Sequence, residues 1–264
     1  MLKIQGSPSN TAIVFIHGFL GNHLDWDPII NALSNEWYCI TVDLPGHGDQ
    51  GDELLTCSGD SALNKLFDEV LSVAKEPLNL VGYSLGGRVA MRLAQQHPDR
   101  ILSLCIESAH PGLTDINDRK SRVQSDKVWA NRFLNQPLNV VLKDWYQQAV
   151  FNCNDHKQLQ VLIDKHLGQT GALLSKALSN FGLGLQEPYW DFLSQWRKPL
   201  LYISGESDIK FSSIGEEIKQ NNQHSQHIKI KHSAHNCHQD QPQQFIEVIH
   251  KFLNDQQHIL RRYQ

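Results

Sequence analysis

Three side chains are enough to turn an inert hydroxyl into a strong base or nucleophile: a serine, a histidine that takes its proton, and a carboxylate that orients the histidine. The stretch Val81-Gly82-Tyr83-Ser84-Leu85-Gly86-Gly87-Arg88 offers the serine, as a G-x-S-x-G match after an apolar run. The match alone is a weak signal, and its plain alternative is a serine capping a helix. The setting carries the weight. Ser84 stands between a predicted strand and a predicted helix, where Gly82 and Gly86 permit a tight turn that exposes the hydroxyl and Gly87 permits close packing beside it. On such a turn the partners follow in the order Ser, Asp, His. Asp208 follows the apolar run "LLYIS", and His235 follows "HIKIK" in Ser233-Ala234-His235-Asn236. Glu206 rivals Asp208. His232 and His238 compete with His235, but His232 abuts the strand and His238 opens the next helical region.

Such chemistry also needs a place for developing negative charge. The backbone N–H groups of Leu85, at the start of a helix, and of Phe19, just after His17-Gly18, are the expected donors. His17 reads as a residue that holds its loop, and the turn Asp43-Leu44-Pro45-Gly46-His47-Gly48 as architectural.

Arg88 lies four residues after Ser84, on the same helical face one turn further on. A buried unpaired cation costs several kcal/mol, so an anionic substrate is the partner that explains it. The alternatives are an ion pair with a carboxylate of the helical lid expected over residues 110–197, or a solvated side chain. Arg122, Asp126, Trp129 and Phe133 recur at helical spacing, which puts Arg122 on an inward face, whereas Lys127 and Arg132 fall elsewhere. Arg119, one turn earlier, is the other candidate. Trp145 and Phe151 are aromatic residues able either to wall a site or simply to pack.

These residues need a frame. Thr11 to Ile16, Trp37 to Val42, Leu78 to Tyr83, Ile101 to Ile106, Pro199 to Ser204 and His227 to Lys231 read as strands. Helical patterns over Ser58 to Lys75, Leu85 to Gln96, near Ile214 to Lys219, and from about Gln241 to Leu253 separate or follow them. Strands alternating with helices imply a mostly parallel, doubly wound α/β sheet. From His110 to about Arg197 the alternation stops and helical patterns follow one another. The expected division is a core of residues 1–109 and 198–264, with 110–197 a helical lid, in a single domain overall.

Composition narrows the function classes. The 264 residues carry a net charge of -4, with 40% hydrophobic and 20% charged residues, which suits a globular protein and gives no general basic surface for nucleic acid. There is no run of 18 apolar residues and no signal peptide at Met1 to Gly6, so the expectation is a cytoplasmic protein without a membrane partner. Cys39, Cys57, Cys105, Cys153 and Cys237 are an odd set without C-x-x-C and read as reduced packing residues. Fourteen histidines include no H-E-x-x-H, so no metal site is expected.

The motifs over residues 12 to 240 resemble the α/β-hydrolase fold. More narrowly, "VFIHGFLGNHLDW", "VDLPGHG", "LVGYSLGGRVAMRLA", "AHPGL", "SDKVWANRFL", "DWYQQAVF" and "HNCH" are together similar to the 2-succinyl-6-hydroxy-2,4-cyclohexadiene-1-carboxylate synthases of menaquinone biosynthesis. The first three motifs are widely shared; "GYSLGGRVAM" and "DWYQQ" followed by "VF" are more specific. The resemblance implies a lyase that removes a ring proton next to a ketone and expels pyruvate from a small substrate with three carboxylates, with no metal or organic cofactor. By the same analogy Ser84, polarised by His235 and Asp208, is the base, Phe19 and Leu85 hold the enolate oxygen, and Tyr83, Arg88, Arg122 and Trp145 bind substrate. A serine hydrolase of an acidic ester or carbon–carbon bond needs the same triad. A catalytically idle receptor does not. Oligomeric state is not legible.

Overall fold

The computed structural model describes residues 2–48, 59–75, 77–151 and 156–262. Ser58, Cys57 and Cys153 of the sequence reading lie outside the described residues; Cys39, Cys105 and Cys237 are buried free thiols.

Among the described residues seven strands form one sheet: β1 (Leu2–Gln5), β2 (Ala12–Ile16), β3 (Tyr38–Val42), β4 (Leu78–Tyr83), β5 (Ile101–Glu107), β6 (Leu200–Gly205) and β7 (Ser225–Ile230), in the order β1-β3-β2-β4-β5-β6-β7. All pairings are parallel except β1 with β3. Strands β2, β3, β4 and β6 are buried along their whole length, as a sheet covered on both faces requires. The six strands expected from apolar runs are present. The seventh, β1, has no such run: it is a half-exposed edge strand, tied down by Lys3 Nζ, which donates to Asp27 Oδ1 at 2.7 Å.

The helices are α1 (Asp27–Leu33), α2 (Gly59–Val73), α3 (Leu85–Gln96), α4 (Ile116–Asn135), α5 (Leu138–Tyr146), α6 (His156–His166), α7 (Gly171–Phe181), α8 (Trp190–Gln195), α9 (Ile209–Asn221), α10 (Cys237–Asp240) and α11 (Pro242–Arg262). One face of the sheet is covered by α2, α3 and α9 through residues such as Phe67, Val89 and Ile214. Trp26, Ile29, Phe245 and Ile249 cover the other, from α1, α11 and the turn before α1.

Between β5 and β6 the described residues contain helices and no strand. Helices α4 to α7 share an apolar cluster of their own, with Phe133, Leu142, Leu159 and Leu174, and it closes on Leu20 from the loop after β2. Two polar ties fix this lid to the same loop: Lys165 Nζ lies 2.7 Å from Asp25 Oδ1, and the Gln169 amide donates to the Leu20 carbonyl. The last helix of the insertion, α8, packs with the sheet core through Leu193 and its flanking Tyr189 and Trp196. Among the described residues no helix is long and apolar enough to cross a membrane.

Candidate active site

The carboxyl ends of the parallel strands carry the polar residues, the position where open α/β sheets bind ligands. Ser84 follows β4 directly, with φ 49° and ψ -107°, a conformation costly for a residue with a Cβ. Its N–H donates to the Glu107 carbonyl at 2.8 Å, and its own carbonyl accepts the Arg88 N–H at 3.1 Å. Close packing holds this turn: a Cβ on Gly86 would overlap the Ile16 carbonyl, and one on Gly82 would overlap that of Gly86. The glycines are required by space as much as by backbone freedom.

The three expected partners meet. His235 donates from Nδ1 to Asp208 Oδ2 at 2.8 Å, and the Ser84 hydroxyl donates to His235 Nε2 at 3.1 Å. Because a carboxylate only accepts, the imidazole proton belongs on Nδ1 and Nε2 is left to receive the serine proton. Asp208 is 5% exposed and also accepts the Phe211 N–H at 3.3 Å as the cap of α9. The rings of Phe211 and Tyr83 stand 4.6 Å and 5.4 Å from His235. The rival residues are elsewhere: exposed Glu206 accepts the His232 N–H at 3.3 Å, and His238 is buried against Glu107 at 2.8 Å.

Ser84, Phe19 and Leu85 line one cavity of about 110 Å³. Leu85 is the first residue of α3, so its N–H belongs to the positive end of that helix. Phe19 is placed by the loop that His17 holds: the Leu44 N–H donates to His17 Nε2 at 2.9 Å, and Nδ1 donates to the Gly18 carbonyl at 2.7 Å. Burial lowers the pKa of His17, which keeps this ring neutral. His17 therefore shapes the loop, as its sequence position suggested.

Arg88 and Arg122 line the same cavity, although they come from α3 and α4, on opposite sides of the insertion boundary. Arg88 meets neutral acceptors, Gln186 Oε1 at 3.0 Å and the Phe181 carbonyl at 2.7 Å. Burial, with Arg122 nearby, brings its pKa down to about 10, so it stays charged at neutral pH. Arg122 donates from Nε to Asp126 Oδ1 at 2.8 Å, which leaves the Nη groups that grip a carboxylate. Arg119 points to the lid surface, bonded to the Gly184 carbonyl and 3.3 Å from Glu187 Oε1. Arg132 pairs with Asp144 and lies over the Trp129 ring.

The aromatic candidates divide. Trp145 lines the cavity with Ser84, its ring 5.0 Å from that of Phe19. Tyr83 and Phe151 instead line a neighbouring cavity of about 60 Å³ behind His235, with Asp25 and His166. Tyr83 is 7% exposed, set between His235 and His238.

Sequence reasoning passed over His110 and Lys210, which also line the Ser84 cavity. His110 Nδ1 accepts the Gly112 N–H at 3.0 Å, and burial, with Lys210 and the two arginines, pushes its pKa down to about 4. It is thus a neutral imidazole with its proton on Nε2. Its motif "AHPGL" was noted without a role. Among the described residues no group of three or more His, Cys, Asp or Glu side chains is arranged to hold a metal ion.

A family profile described as alpha/beta hydrolase fold matches residues 11–242. The chain is 35% identical over 237 residues to the 2-succinyl-6-hydroxy-2,4-cyclohexadiene-1-carboxylate synthase of Enterobacter sp. (strain 638), covering 90% of this chain and 89% of that one. It is 34% identical over 250 residues to the protein of that name from Klebsiella pneumoniae subsp. pneumoniae, covering 94% and 96%. The solved structure of MenH from S. aureus superposes with a TM-score of 0.90 at 26% identity, over 97% of this chain and 98% of that one. An esterase from Thermogutta terrifontis, with a TM-score of 0.79 at 18% identity over 97% and 93%, shares the fold alone. The chain belongs to the α/β-hydrolase fold family and, within it, to the family of the 2-succinyl-6-hydroxy-2,4-cyclohexadiene-1-carboxylate synthases.

Proposed function

We propose that this chain is a carbon–oxygen lyase of menaquinone biosynthesis that eliminates pyruvate from 2-succinyl-5-enolpyruvyl-6-hydroxy-3-cyclohexene-1-carboxylate to give 2-succinyl-6-hydroxy-2,4-cyclohexadiene-1-carboxylate. The observation that carries the reading is one cavity holding both an activated serine and two arginines, of which Arg88 meets only neutral acceptors and Arg122 keeps its Nη groups beyond the Nε contact to Asp126. Ser84 sits 3.1 Å from His235 Nε2, with Arg88 and Arg122 lining the same space. A neutral ester has no use for those charges, whereas a substrate with three carboxylates supplies their counterions.

In this reading the Ser84 hydroxyl gives its proton to His235, whose imidazolium is stabilised by Asp208, and Ser84 Oγ takes the ring proton next to the succinyl ketone. The electron pair of the broken C–H bond moves into an enolate, held by the Phe19 and Leu85 N–H groups. As the enolate returns to the ketone, its electron pair forms the C2–C3 double bond, the existing C3–C4 double bond shifts to C4–C5, and the C5–O bond breaks. The leaving group departs as the enolate of pyruvate and gains one proton, and the His235 imidazolium loses one, directly or through water, which restores the triad. Arg88 and Arg122 bind carboxylates, Trp145 packs on the substrate, and Tyr83, from behind His235, is the fourth substrate-binding candidate. The reading includes a cytoplasmic location, consistent with free thiols at Cys39, Cys105 and Cys237, and no nucleic-acid or membrane partner.

The test is direct: incubate the purified protein with the enolpyruvyl substrate and follow pyruvate. Wild type releases it stoichiometrically. Ser84→Ala and His235→Ala lose about 10²-fold or more in kcat with unchanged circular dichroism. Either variant retaining more than half of wild-type kcat overturns the roles given to the triad.

A further inference from the structure

Two arginines leave one carboxylate of a tricarboxylate unaccounted for, and the cavity holds one more cation. Lys210 occupies the first turn of α9, two residues beyond Asp208, and lines the cavity opposite the lid. Its partners are unusual for an exposed lysine. No carboxylate among the described residues forms a salt bridge with it; its ammonium stands 5.4 Å from the Phe211 ring, the ring that packs on His235. Burial, together with the charge of Arg122 across the cavity, lowers its pKa, and Asp208 acts in the opposite direction without outweighing them. Asp126 answers Arg122 locally, yet it leaves Arg88 and Lys210 without an ion-paired acid. Three cations thus converge from three elements on a space containing Ser84, with the Nε2–H of His110 as a neutral donor beside them. Like charges gathered in this way repel, and a bound polyanion relieves the repulsion.

We propose that Lys210 is the third carboxylate-binding residue of this cavity, so that the site selects tricarboxylate over dicarboxylate ligands. The inference rests on the reading under Proposed function for its natural substrate, but its selectivity is a property of the cavity alone. Because the ammonium is partly solvated and a point charge, its contribution is smaller than that of a bidentate arginine. Lys210→Ala raises KM for the enolpyruvyl substrate about three- to tenfold with kcat within about twofold of wild type. Lys210→Arg keeps at least half of wild-type kcat/KM, and Lys219→Ala, on the last turn of the same helix, changes neither constant. A second measurement needs no turnover: titration calorimetry with propane-1,2,3-tricarboxylate and with succinate. Wild type prefers the tricarboxylate, and Lys210→Ala loses most of that preference while Lys219→Ala keeps it. If wild type releases no pyruvate, the synthase reading fails and the titration alone decides the role of Lys210. If Lys210→Ala matches wild type in KM, or retains the full tricarboxylate preference, the proposal is wrong.

Discussion

Arg88 is the residue whose placement says most about the ligand. Its two Nη groups are held by an amide oxygen and a main-chain carbonyl, which orient the guanidinium without cancelling its charge. Arg88→Ala therefore removes a charge-assisted contact of about 1.5 to 3 kcal/mol, roughly tenfold to more than a hundredfold in kcat/KM. Arg122→Ala behaves alike, and lysine rescues either only in part. Arg132→Ala is the control, because that side chain is occupied by Asp144 and Trp129. Steady-state kinetics on these variants, with thermal melts, check the expectation; equal losses at Arg132 would undo it. The charge also has a pH signature. A base with a lowered pKa is protonated below it, so anion affinity measured by titration holds from pH 7 to 9 and weakens as pH passes about 10. Both arginines were legible in the sequence, since each needs only the 3.6-residue period of its own helix. Lys210 and His110 were not: their direction depends on where α9 begins and how the loop after β5 turns.

At the scale of elements, the turn at Ser84 and the lid obey different constraints. The turn is set by contact between backbones, so Gly86→Ala forces β2 and α3 apart at the Ile16 carbonyl. The expected cost is about 1 to 3 kcal/mol, with activity lost because Ser84 moves relative to His235. Urea unfolding and pyruvate release on the same preparation measure both, and a fully stable, fully active Gly86→Ala would contradict the packing argument. The G-x-S-x-G spacing announced this turn, because a short-range motif encodes a short-range geometry. The lid was visible only as an interruption of the strand–helix alternation. Its internal packing, and the union of α8 with the sheet core through Tyr189 and Trp196, are contacts between residues far apart in sequence. Helix α9 begins at Ile209, earlier than the apolar period near Ile214 implied, because Asp208 caps it. One carboxylate thus starts a helix and orients the catalytic-site histidine.

For the whole molecule, buried neutral histidines set the acid limit. Burial brings His47 to about 3 and His166 to about 4, against 6.5 when unfolded. Between those values the unfolded chain binds more protons than the folded one, so stability falls as pH drops from 6.5 toward 4. Each such group contributes up to about 1.4 kcal/mol per pH unit in that window. Urea unfolding at pH 7, 6 and 5 measures the slope, and stability that stays level or rises on acidification refutes it. The fold itself was readable because its buried strands are continuous apolar runs; edge strand β1, four residues with Lys3 and Gln5 among them, escaped for the same reason. The central claim is that the triad removes a proton rather than forming an acyl or other covalent bond. Intact-mass spectrometry of the enzyme quenched during steady-state pyruvate release tests it most directly. The account predicts the unmodified mass throughout turnover, with pyruvate accumulating; a substrate-derived adduct located on Ser84, formed and lost at the rate of turnover, would contradict it.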